Sequence, residues 1–344
     1  MSDVFVTRRI PRAGLEVLDG AGAAYTVGQH DDEAALPRAA LIAGAQQADV
    51  LLTLLTERID HEVLAANPRL RGVANMAVGF DNVDVAAATA LGIPVCNTPG
   101  VLTESTADLT WALLLAVARR IPEAHGYMTA GRYARWGPNL LLGADVGPGP
   151  DGSARTLGIV GYGRIGAAVA RRARGFDMRV IAWTRSGPER IERDGVEYAS
   201  LDELLATSDY VSVHVASSAT TRHLLDARAL GLMKPTAYLV NTARGDVVDE
   251  AALVEALRSD RIAGAGLDVY EHEPAMAPGL ADCPNAVLLP HIGSATHATR
   301  DRMATMAAEN ALAHLRGERA PNCVNPEVYD AAAYRARAGT AQRD

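Results

Sequence analysis

The chain has 344 residues, of which 49% are hydrophobic and 22% charged, and its formal net charge is −8. This size favours two domains that each bury a core, and an acidic chain without a concentrated basic face is not expected to bind nucleic acid. Three widely spaced cysteines favour free thiols in a reducing compartment over a disulfide framework or a metal site. The sequence shows neither a signal-peptide pattern nor an apolar run of about 20 residues, so we expect a cytoplasmic protein that does not enter a membrane.

The first hundred residues alternate between short apolar runs and helical patterns. Strands are predicted at residues 4–6, 50–52, 73–76 and 93–96, and helices at 12–18, 60–66 and 83–90. This alternation is typical of a parallel sheet with helices on its faces. A long apolar helix is predicted at 103–120, and a surface loop rich in glycine and proline at 147–154.

A second alternating series begins at Thr156. Its predicted strands cover residues 157–160, 179–182, 210–213, 237–241, 263–267 and 286–289, and helices are predicted at 165–175, 201–206 and 250–259. Six parallel strands of this kind complete a doubly wound, dinucleotide-binding sheet. A last helix is predicted at 296–316, and the tail from Asp330 is expected to be frayed.

A glycine-rich turn connects the first strand of this second series to the helix that follows it. The turn reads Gly161-Tyr162-Gly163-Arg164-Ile165-Gly166. Gly161 allows a tight turn, Gly163 lets the backbone approach a pyrophosphate, and Gly166 lets helix and strand pack closely. The N-terminus of the helix then faces the anion. The strand–turn–helix context therefore predicts a dinucleotide site, to which Arg164 and Ile165 also contribute.

The end of the next strand indicates which dinucleotide is bound. NAD sites usually place an acid there, which bonds the ribose hydroxyls, whereas this strand ends in Thr184-Arg185-Ser186. Arg185 would attract a 2′-phosphate, and the hydroxyls of Thr184 and Ser186 could donate hydrogen bonds to it. We therefore predict that NADP is preferred and that NAD is possible. The alternative is that Arg185 is merely a solvated loop residue.

Three further groups of polar residues follow predicted strands, at the edge of the sheet where ligands bind. They read Asn241-Thr242-Ala243-Arg244-Gly245, Asp268-Val269-Tyr270-Glu271-His272-Glu273 and Pro290-His291-Ile292-Gly293. Reduction of a 2-keto acid needs a cation for the carboxylate, which Arg244 offers as a planar fork. It also needs a proton donor near neutrality, which His291 offers. A carboxylate beside the imidazole, here Glu273, favours the protonated ring.

With these groups the sequence resembles the D-isomer-specific 2-hydroxyacid dehydrogenases, and within them the glyoxylate and hydroxypyruvate reductases. The resemblance runs from about residue 50 to 321 and includes Ala77-Val78-Gly79-Phe80-Asp81-Asn82-Val83-Asp84, Asn97-Thr98-Pro99-Gly100 and Glu104-Ser105-Thr106-Ala107-Asp108. It implies an α/β fold with two doubly wound parallel-sheet domains. One is a Rossmann cofactor domain at 103–293, and the other is a smaller, flavodoxin-like, discontinuous substrate domain at 1–102 plus 294–344. The active site is expected in the cleft between them.

The resemblance also implies roles for individual residues. Arg244 is expected to orient the substrate, His291 to donate the proton, and Glu273 to support His291. We expect the substrate to be bound by Arg244, by Leu55 and by the backbone amides around Val78 and Gly79. Asp268 is expected to bind the nicotinamide carboxamide. Besides Asp268, the glycine-rich turn and residues 184–186, the expected cofactor contacts are Thr106, Val215, Ala216, Thr221, Thr242, Ala243, His291 and Gly293.

We predict that the chain reduces a small 2-keto acid, with glyoxylate or hydroxypyruvate favoured, to the D-2-hydroxy acid. Glu273 counts against formate dehydrogenases, which carry Gln there, and Val78 counts against phosphite dehydrogenases, which carry Lys. A D-3-phosphoglycerate-type dehydrogenase and a non-enzymatic, dinucleotide-sensing corepressor-like protein stay open as alternatives. A homodimer is expected through the helix at 105–120, because apolar side chains surround most of its circumference. The alternative is that this helix is buried inside its own domain.

Overall fold

The computed structural model describes residues 2–31, 34–189, 191 and 194–340. The chain divides into two compact units, one made of Met1–Leu102 and Ala295–Asp344 and the other of Thr103–Ser294. Each unit is built on one parallel β-sheet with helices between its strands. The prediction of an α/β fold with two parallel sheets is therefore confirmed.

The discontinuous unit contains a five-stranded sheet. Its strands are β1 (Ser2–Val6), β2 (Tyr25–Val27), β3 (Ala48–Thr53), β4 (Gly72–Asn75) and β5 (Val95–Cys96). They lie in the order β2-β1-β3-β4-β5, which is the flavodoxin-like arrangement. The helices of this unit are α1 (Arg12–Gly20), α2 (Arg38–Gln47), α3 (His61–Ala65), α4 (Val85–Ala90) and, near the end of the chain, α11 (His297–Leu315) and α12 (Ala332–Thr340).

The second unit contains a seven-stranded sheet. Its strands are β6 (Thr156–Val160), β7 (Arg179–Trp183), β8 (Glu197–Tyr198), β9 (Tyr210–Val213), β10 (Tyr238–Asn241), β11 (Gly264–Leu267) and β12 (Ala286–Leu288). The order β12-β11-β10-β9-β6-β7-β8 changes direction at β6 and β9, and doubly wound sheets bind ligands beside such a switch point. The described helices are α5 (Thr103–Ala118), α6 (Ile121–Thr129), α7 (Arg164–Ala173), α8 (Leu201–Thr207), α9 (Ala227–Leu232) and α10 (Glu250–Arg258).

The central strands are buried on both faces. All five residues of β6 are buried, as helices covering both faces of a parallel sheet require. Helix α5 lies in the same core, where the ring of Trp111 stacks on Phe176 with centroids 4.6 Å apart. Leu113 and Leu114 of this helix are also buried within the unit. Burial inside one chain therefore accounts for much of the apolar character of α5, which was the basis for predicting a dimer through it.

Several elements differ from the sequence prediction. The structure adds β2, α2, β8, α6 and α9, so the second sheet has seven strands and not six. Helix α5 ends at Ala118 and not at residue 120, because Arg120 adopts a left-handed conformation with φ +53° and α6 starts directly after it. Residues 147–154 form a loop without helix or strand, as predicted, with a turn at 150–151. Among the described residues, no helix has both the length and the apolar character needed to cross a membrane.

The prediction of a frayed tail from Asp330 is wrong for the part of the tail that the structure describes. Residues 332–340 form α12, and Arg337 makes four hydrogen bonds to backbone carbonyl groups of its unit. These acceptors belong to Leu91, Asn67, Pro68 and Leu70. The tail is held by acceptors far away in sequence, which helix periodicity does not reveal.

Candidate active site

The glycine-rich turn at 161–166 is shaped by close backbone contacts. Gly161 has φ +103°, and a Cβ atom there would lie 2.7 Å from the backbone nitrogen of Val215. A Cβ atom on Gly166 would collide with the carbonyl oxygen of Gly161, so both positions require glycine. At Gly163, the N-cap of α7, a Cβ atom would meet nothing within 4 Å, and no described side chain caps the helix. No described side chain therefore occupies the first N–H groups of α7, which fits a bound pyrophosphate.

The three residues that are predicted to favour NADP over NAD lie directly after β7. Thr184 is half-buried, and its Oγ1 lies 3.3 Å from the Oγ of exposed Ser186. Arg185 is exposed and donates from Nη1 to Thr220 Oγ1 at 2.6 Å. Among the described residues no carboxylate forms an ion pair with Arg185, so its charge is not neutralised locally.

The loop after β9 lies against the glycine-rich turn. Val215 packs beside Gly161. The buried hydroxyl of Thr221 donates to the carbonyl of Ala216 at 2.7 Å, which closes the loop on itself. His214, at the start of the loop, bonds Ser212 Oγ through Nε2 at 2.7 Å, and burial lowers the pKa of His214 to about 3. His214 is therefore a neutral structural residue at physiological pH.

Asp268, directly after β11, holds the backbone that follows His291. Its carboxylate accepts the N–H groups of Ile292 and Gly293, both at 2.7 Å, and the residue is only 1% exposed. His291 has φ +54°, a left-handed conformation that costs a residue other than glycine about 1–2 kcal/mol. Burial raises the pKa of Asp268, although these hydrogen bonds and the nearby His291 oppose the rise. The structure thus gives Asp268 a positioning role that the sequence does not reveal, and its contact with the carboxamide stays a prediction.

Two threonines of α5 connect this region to the neighbouring strands. Thr106 donates to the carbonyl of Gly293 at 3.2 Å. Thr110 and Thr242 share a buried hydrogen bond of 2.8 Å. The side chain of Asn241 accepts the N–H of Ala243 at 3.0 Å. The predicted contacts Thr106, Thr242, Ala243 and Gly293 therefore lie in one hydrogen-bonded region, and Thr110 is a member that sequence reasoning missed.

Glu273 and His291 form the central pair of the site. His291 Nδ1 lies 2.8 Å from Glu273 Oε2, while Glu273 Oε1 accepts the N–H of Tyr270 at 3.1 Å. Burial alone would raise the pKa of Glu273, but the hydrogen bond and charge of His291, the Tyr270 N–H and nearby Arg244 together hold it below its ordinary value. Glu273 is therefore ionised at neutral pH, and Nδ1 of His291 is occupied by it.

Arg244 follows β10, the strand between β9 and β11. The side chain of Asn241 donates to its carbonyl at 2.8 Å, and Arg244 Nη1 donates to the carbonyl of Ala243 at 2.8 Å. The next residue must be glycine, because a Cβ atom on Gly245 would collide with the backbone of Tyr270. This close approach brings the Arg244 turn against the chain that carries Glu273. Arg244, Glu273 and His291 thus follow three adjacent strands of one sheet.

Leu55, Val78 and Gly79 belong to the discontinuous unit. The carbonyl of Val78 accepts the side chain of Asn97 at 2.8 Å, and that of Gly79 accepts the side chain of Asn75 at 3.1 Å. The N–H groups of Val78 and Gly79 donate to no group among the described residues. The turn therefore presents two oriented backbone donors. The sequence patterns gave no role in this turn to Asn75, the last residue of β4, or to Asn97, which follows β5 directly.

The doubly wound sheet, the open glycine-rich turn and the Arg–Glu–His arrangement define a dinucleotide-dependent oxidoreductase. The family model of the D-isomer specific 2-hydroxyacid dehydrogenase, NAD binding domain, matches residues 111–293. This chain belongs to that family and is an NAD(P)-dependent enzyme.

Individual relatives agree with this assignment. Over 330 residues, the chain is 46% identical to a glyoxylate reductase of Thermococcus litoralis, covering 94% of this chain and 97% of the relative. A solved structure from Thermus thermophilus has 45% identity and a TM-score of 0.84, covering 93% of this chain and 99% of the other. The NADPH-dependent glyoxylate/hydroxypyruvate reductase of Sinorhizobium meliloti, solved with NADP and malonate, has 34% identity and a TM-score of 0.80, covering 94% and 96%.

Proposed function

We propose that the chain reduces glyoxylate or hydroxypyruvate to the corresponding 2-hydroxy acid, with the D configuration where the product is chiral. The observation that carries the proposal is the 2.8 Å contact between His291 and Glu273, with Arg244 after the adjacent strand. This arrangement offers a proton donor, the anion that supports its charge, and a cation for the substrate. The names of the relatives support small keto acids as substrates.

Each residue of the proposed site has its own role in binding the substrate or moving the proton. Arg244 binds the substrate carboxylate and polarises the keto group, and the N–H groups of Val78 and Gly79 offer backbone donors to an anionic group. Glu273 occupies Nδ1 of His291, so Nε2 is the atom that gives its proton to the carbonyl oxygen. As the proton leaves, the charge of Glu273 keeps the ring oriented for the reverse step.

The open N-terminus of α7 would hold the pyrophosphate of the dinucleotide, with Arg164 and Ile165 forming its first turn. Thr106, Val215, Ala216, Thr221, Thr242, Ala243, Asp268 and Gly293 are proposed as further cofactor contacts. When bound, the reduced nicotinamide supplies the hydride that the carbonyl carbon accepts. The protein contributes orientation and the proton.

Turnover against a panel of keto acids tests this function. NADPH and NADH oxidation would be measured with glyoxylate, hydroxypyruvate, pyruvate, phosphohydroxypyruvate and longer 2-keto acids. We expect the highest kcat/KM with glyoxylate or hydroxypyruvate. A clear preference for phosphohydroxypyruvate would favour a phosphoglycerate-type dehydrogenase. Dinucleotide binding without turnover of any keto acid would favour a corepressor-like binding protein.

Replacing Glu273 by Gln is expected to lower kcat for keto-acid reduction. The hydrogen bond and charge of His291 hold the pKa of Glu273 below its ordinary value against the effect of burial, so Glu273 is an anion that contacts Nδ1 of His291 at 2.8 Å. A neutral amide makes a weaker hydrogen bond than this charge-assisted one and therefore orients the imidazole less firmly. The measurement is kcat for glyoxylate at neutral pH in both proteins.

Glu271→Gln is the matched control, since this acid lies two residues away and pairs with Arg222 and His223 at 2.8 Å. Its kcat should stay near the wild-type value. A Glu273→Gln enzyme with the kcat of the wild type would mean that Glu273 does not act through His291.

We also propose that NADPH is preferred over NADH and that Arg185 is the main cause. A charge-assisted hydrogen bond to the 2′-phosphate contributes about 1.5–3 kcal/mol, or roughly ten- to a hundredfold in affinity. Arg185→Ala should therefore weaken NADPH binding by that factor and leave NADH nearly unchanged. Thr184→Asp should add repulsion and invert the preference. Fluorescence titration with both dinucleotides measures the effect.

Arg179→Ala serves as control, because Arg179 begins the same strand and pairs with Glu197 at 2.6 Å. It should alter neither affinity. Equal or better kcat/KM with NADH in the wild-type enzyme would overturn the cofactor preference without affecting the proposed reaction.

We propose that the protein is a homodimer that pairs through residues 121–142. Of nine large exposed hydrophobic side chains among the described residues, six lie in this segment: Ile121, Met128, Tyr133, Trp136, Leu140 and Leu142. Trp136 is 73% exposed, and an apolar patch of this kind marks an interaction surface.

We also propose that the protein is cytoplasmic, because free thiols are typical of a reducing compartment.

Light scattering at micromolar concentration should give twice the chain mass for the wild type and a monomer for Trp136→Asp, because a charge would be buried at the interface. Met276→Asp, at an exposed apolar residue outside the segment, should remain dimeric. A monomeric wild type, or a dimer that survives Trp136→Asp with Leu142→Asp, would argue against this surface.

A further inference from the structure

Cys96 and Cys323 face each other across a short antiparallel bridge, although 227 positions separate them in the chain. Their neighbours supply both backbone hydrogen bonds: Val324 N–H to the Val95 carbonyl at 2.8 Å, and Asn97 N–H to the Asn322 carbonyl at 3.2 Å. The two cysteines are therefore a non-hydrogen-bonded pair. Such pairs have Cα atoms about 4.5 Å apart and side chains in close proximity. This spacing lies within the range of about 4.4–6.8 Å that a disulfide spans.

The two thiols differ in their surroundings. Cys96 is fully buried on β5, whereas Cys323 is partly exposed and donates to Asn325 Oδ1 at 3.3 Å. The hydrogen bond between the thiols lowers the pKa of Cys323 to about 7, and the same bond with burial raises the pKa of Cys96. The accessible member of the pair is thus the better nucleophile at neutral pH.

We propose that Cys96 and Cys323 are a redox modification site, at which a hydroperoxide converts the dithiol to a reversible disulfide. The Cys323 thiolate attacks one oxygen of hydrogen peroxide, and the O–O bond breaks. That oxygen becomes the hydroxyl of a sulfenic acid on Cys323, and the other oxygen leaves as water with the proton that the Cys323 thiol had lost. The Cys96 sulfur then attacks the sulfenyl sulfur. The S–S bond forms, and the hydroxyl leaves with the Cys96 proton as a second water. One hydroperoxide is reduced and two thiols are oxidised.

The bridge would fasten the segment after α11 to the edge strand of the five-stranded sheet. In the dithiol form this attachment includes the two backbone bonds and Asn325, whose side chain accepts the Val95 N–H at 2.8 Å and donates to the Ile93 carbonyl at 3.1 Å. The strand leads directly into Asn97, which holds the carbonyl of Val78. The disulfide would therefore restrain the backbone beside the turn that carries Val78 and Gly79.

Mass spectrometry of the full-length protein after treatment with hydrogen peroxide tests the site. We expect a loss of about 2 Da that dithiothreitol reverses, and a non-reduced peptide pair linking Cys96 to Cys323. Hydrogen exchange at the amides of Asn97 and Val324 should slow on oxidation and recover on reduction. In Cys96→Ser, dimedone should trap a sulfenic acid on Cys323.

Cys283→Ser is the matched control, because Cys283 is a buried thiol in the other unit. It should form the bridge as the wild type does. The proposal is overturned if folded wild-type protein loses no hydrogens, if the linked peptides contain Cys283, or if the bridge appears only in denaturant. Unchanged exchange at Asn97 and Val324 in the oxidised protein would equally contradict it.

Discussion

Replacing His291 by Gln is expected to lower kcat for keto-acid reduction by about 10²–10⁴-fold, the range that general acid catalysis supplies. The imidazole is the proposed proton donor, and its Nδ1 lies 2.8 Å from Glu273 Oε2, which leaves Nε2 for the substrate. Gln can keep a hydrogen bond to the carboxylate but cannot give up a proton at neutral pH. Dinucleotide affinity should change little, because the glycine-rich turn and the end of β7 are untouched.

Steady-state kinetics with glyoxylate and fluorescence titration of the dinucleotide would measure the two effects separately. His272→Gln is the control, since this exposed histidine lies beside Glu273 in sequence and 4.0 Å from Glu271. It should keep near wild-type kcat. Retention of more than about a tenth of wild-type kcat in His291→Gln would mean that another group donates the proton.

The second large effect is expected at Arg244. Arg244→Gln should lower kcat/KM by about 10²–10³-fold, the loss that follows removal of one preorganised electrostatic donor. In the proposed reaction the guanidinium holds the substrate carboxylate and stabilises the charge that develops on the carbonyl oxygen. Arg244→Lys should recover only part of the activity, because an ammonium keeps the charge but not the planar fork.

The two variants separate charge from geometry, and kcat and KM should be reported individually for each. Arg222→Gln is the control, because Arg222 is exposed and pairs with Glu271. If Arg244→Gln reduced glyoxylate with kcat/KM close to the wild type, the substrate carboxylate would have to be bound elsewhere. Circular dichroism would establish that the variant is folded, since the Arg244 carbonyl also accepts the side chain of Asn241.

Local patterns in the sequence were sufficient to predict the α/β class and the glycine-rich turn at 161–166. Central strands such as β3 and β6 are buried on both faces and therefore appear as apolar runs. Gly166 packs on Gly161 and Ile159 within one strand–turn–helix unit, so this part of the glycine pattern is local, whereas the contact of Gly161 with Val215 comes from the loop after β9. The types of residue needed for keto-acid reduction were also visible, because Arg244, Glu273 and His291 lie in the segments that follow β10, β11 and β12.

Tertiary structure decided what depends on partners distant in sequence. The edge strands β2 and β8 have three and two residues and no buried run, so their sequences do not show the apolar pattern that predicts a strand. The tail is helical because Arg337 reaches carbonyl groups more than 240 positions away.

The same reason separates the residues of the site from its geometry. The sequence was sufficient to predict Glu273 and His291 as site residues, but only the fold shows that His291 Nδ1 contacts Glu273 Oε2. It also shows that Asp268 bonds the two amides after His291. The pairing of Cys96 with Cys323 was likewise hidden, since their wide spacing predicted only free thiols. Residue type and periodicity are local properties of the chain, whereas hydrogen bonds between loops form only after the sheets have set the distances between strand ends.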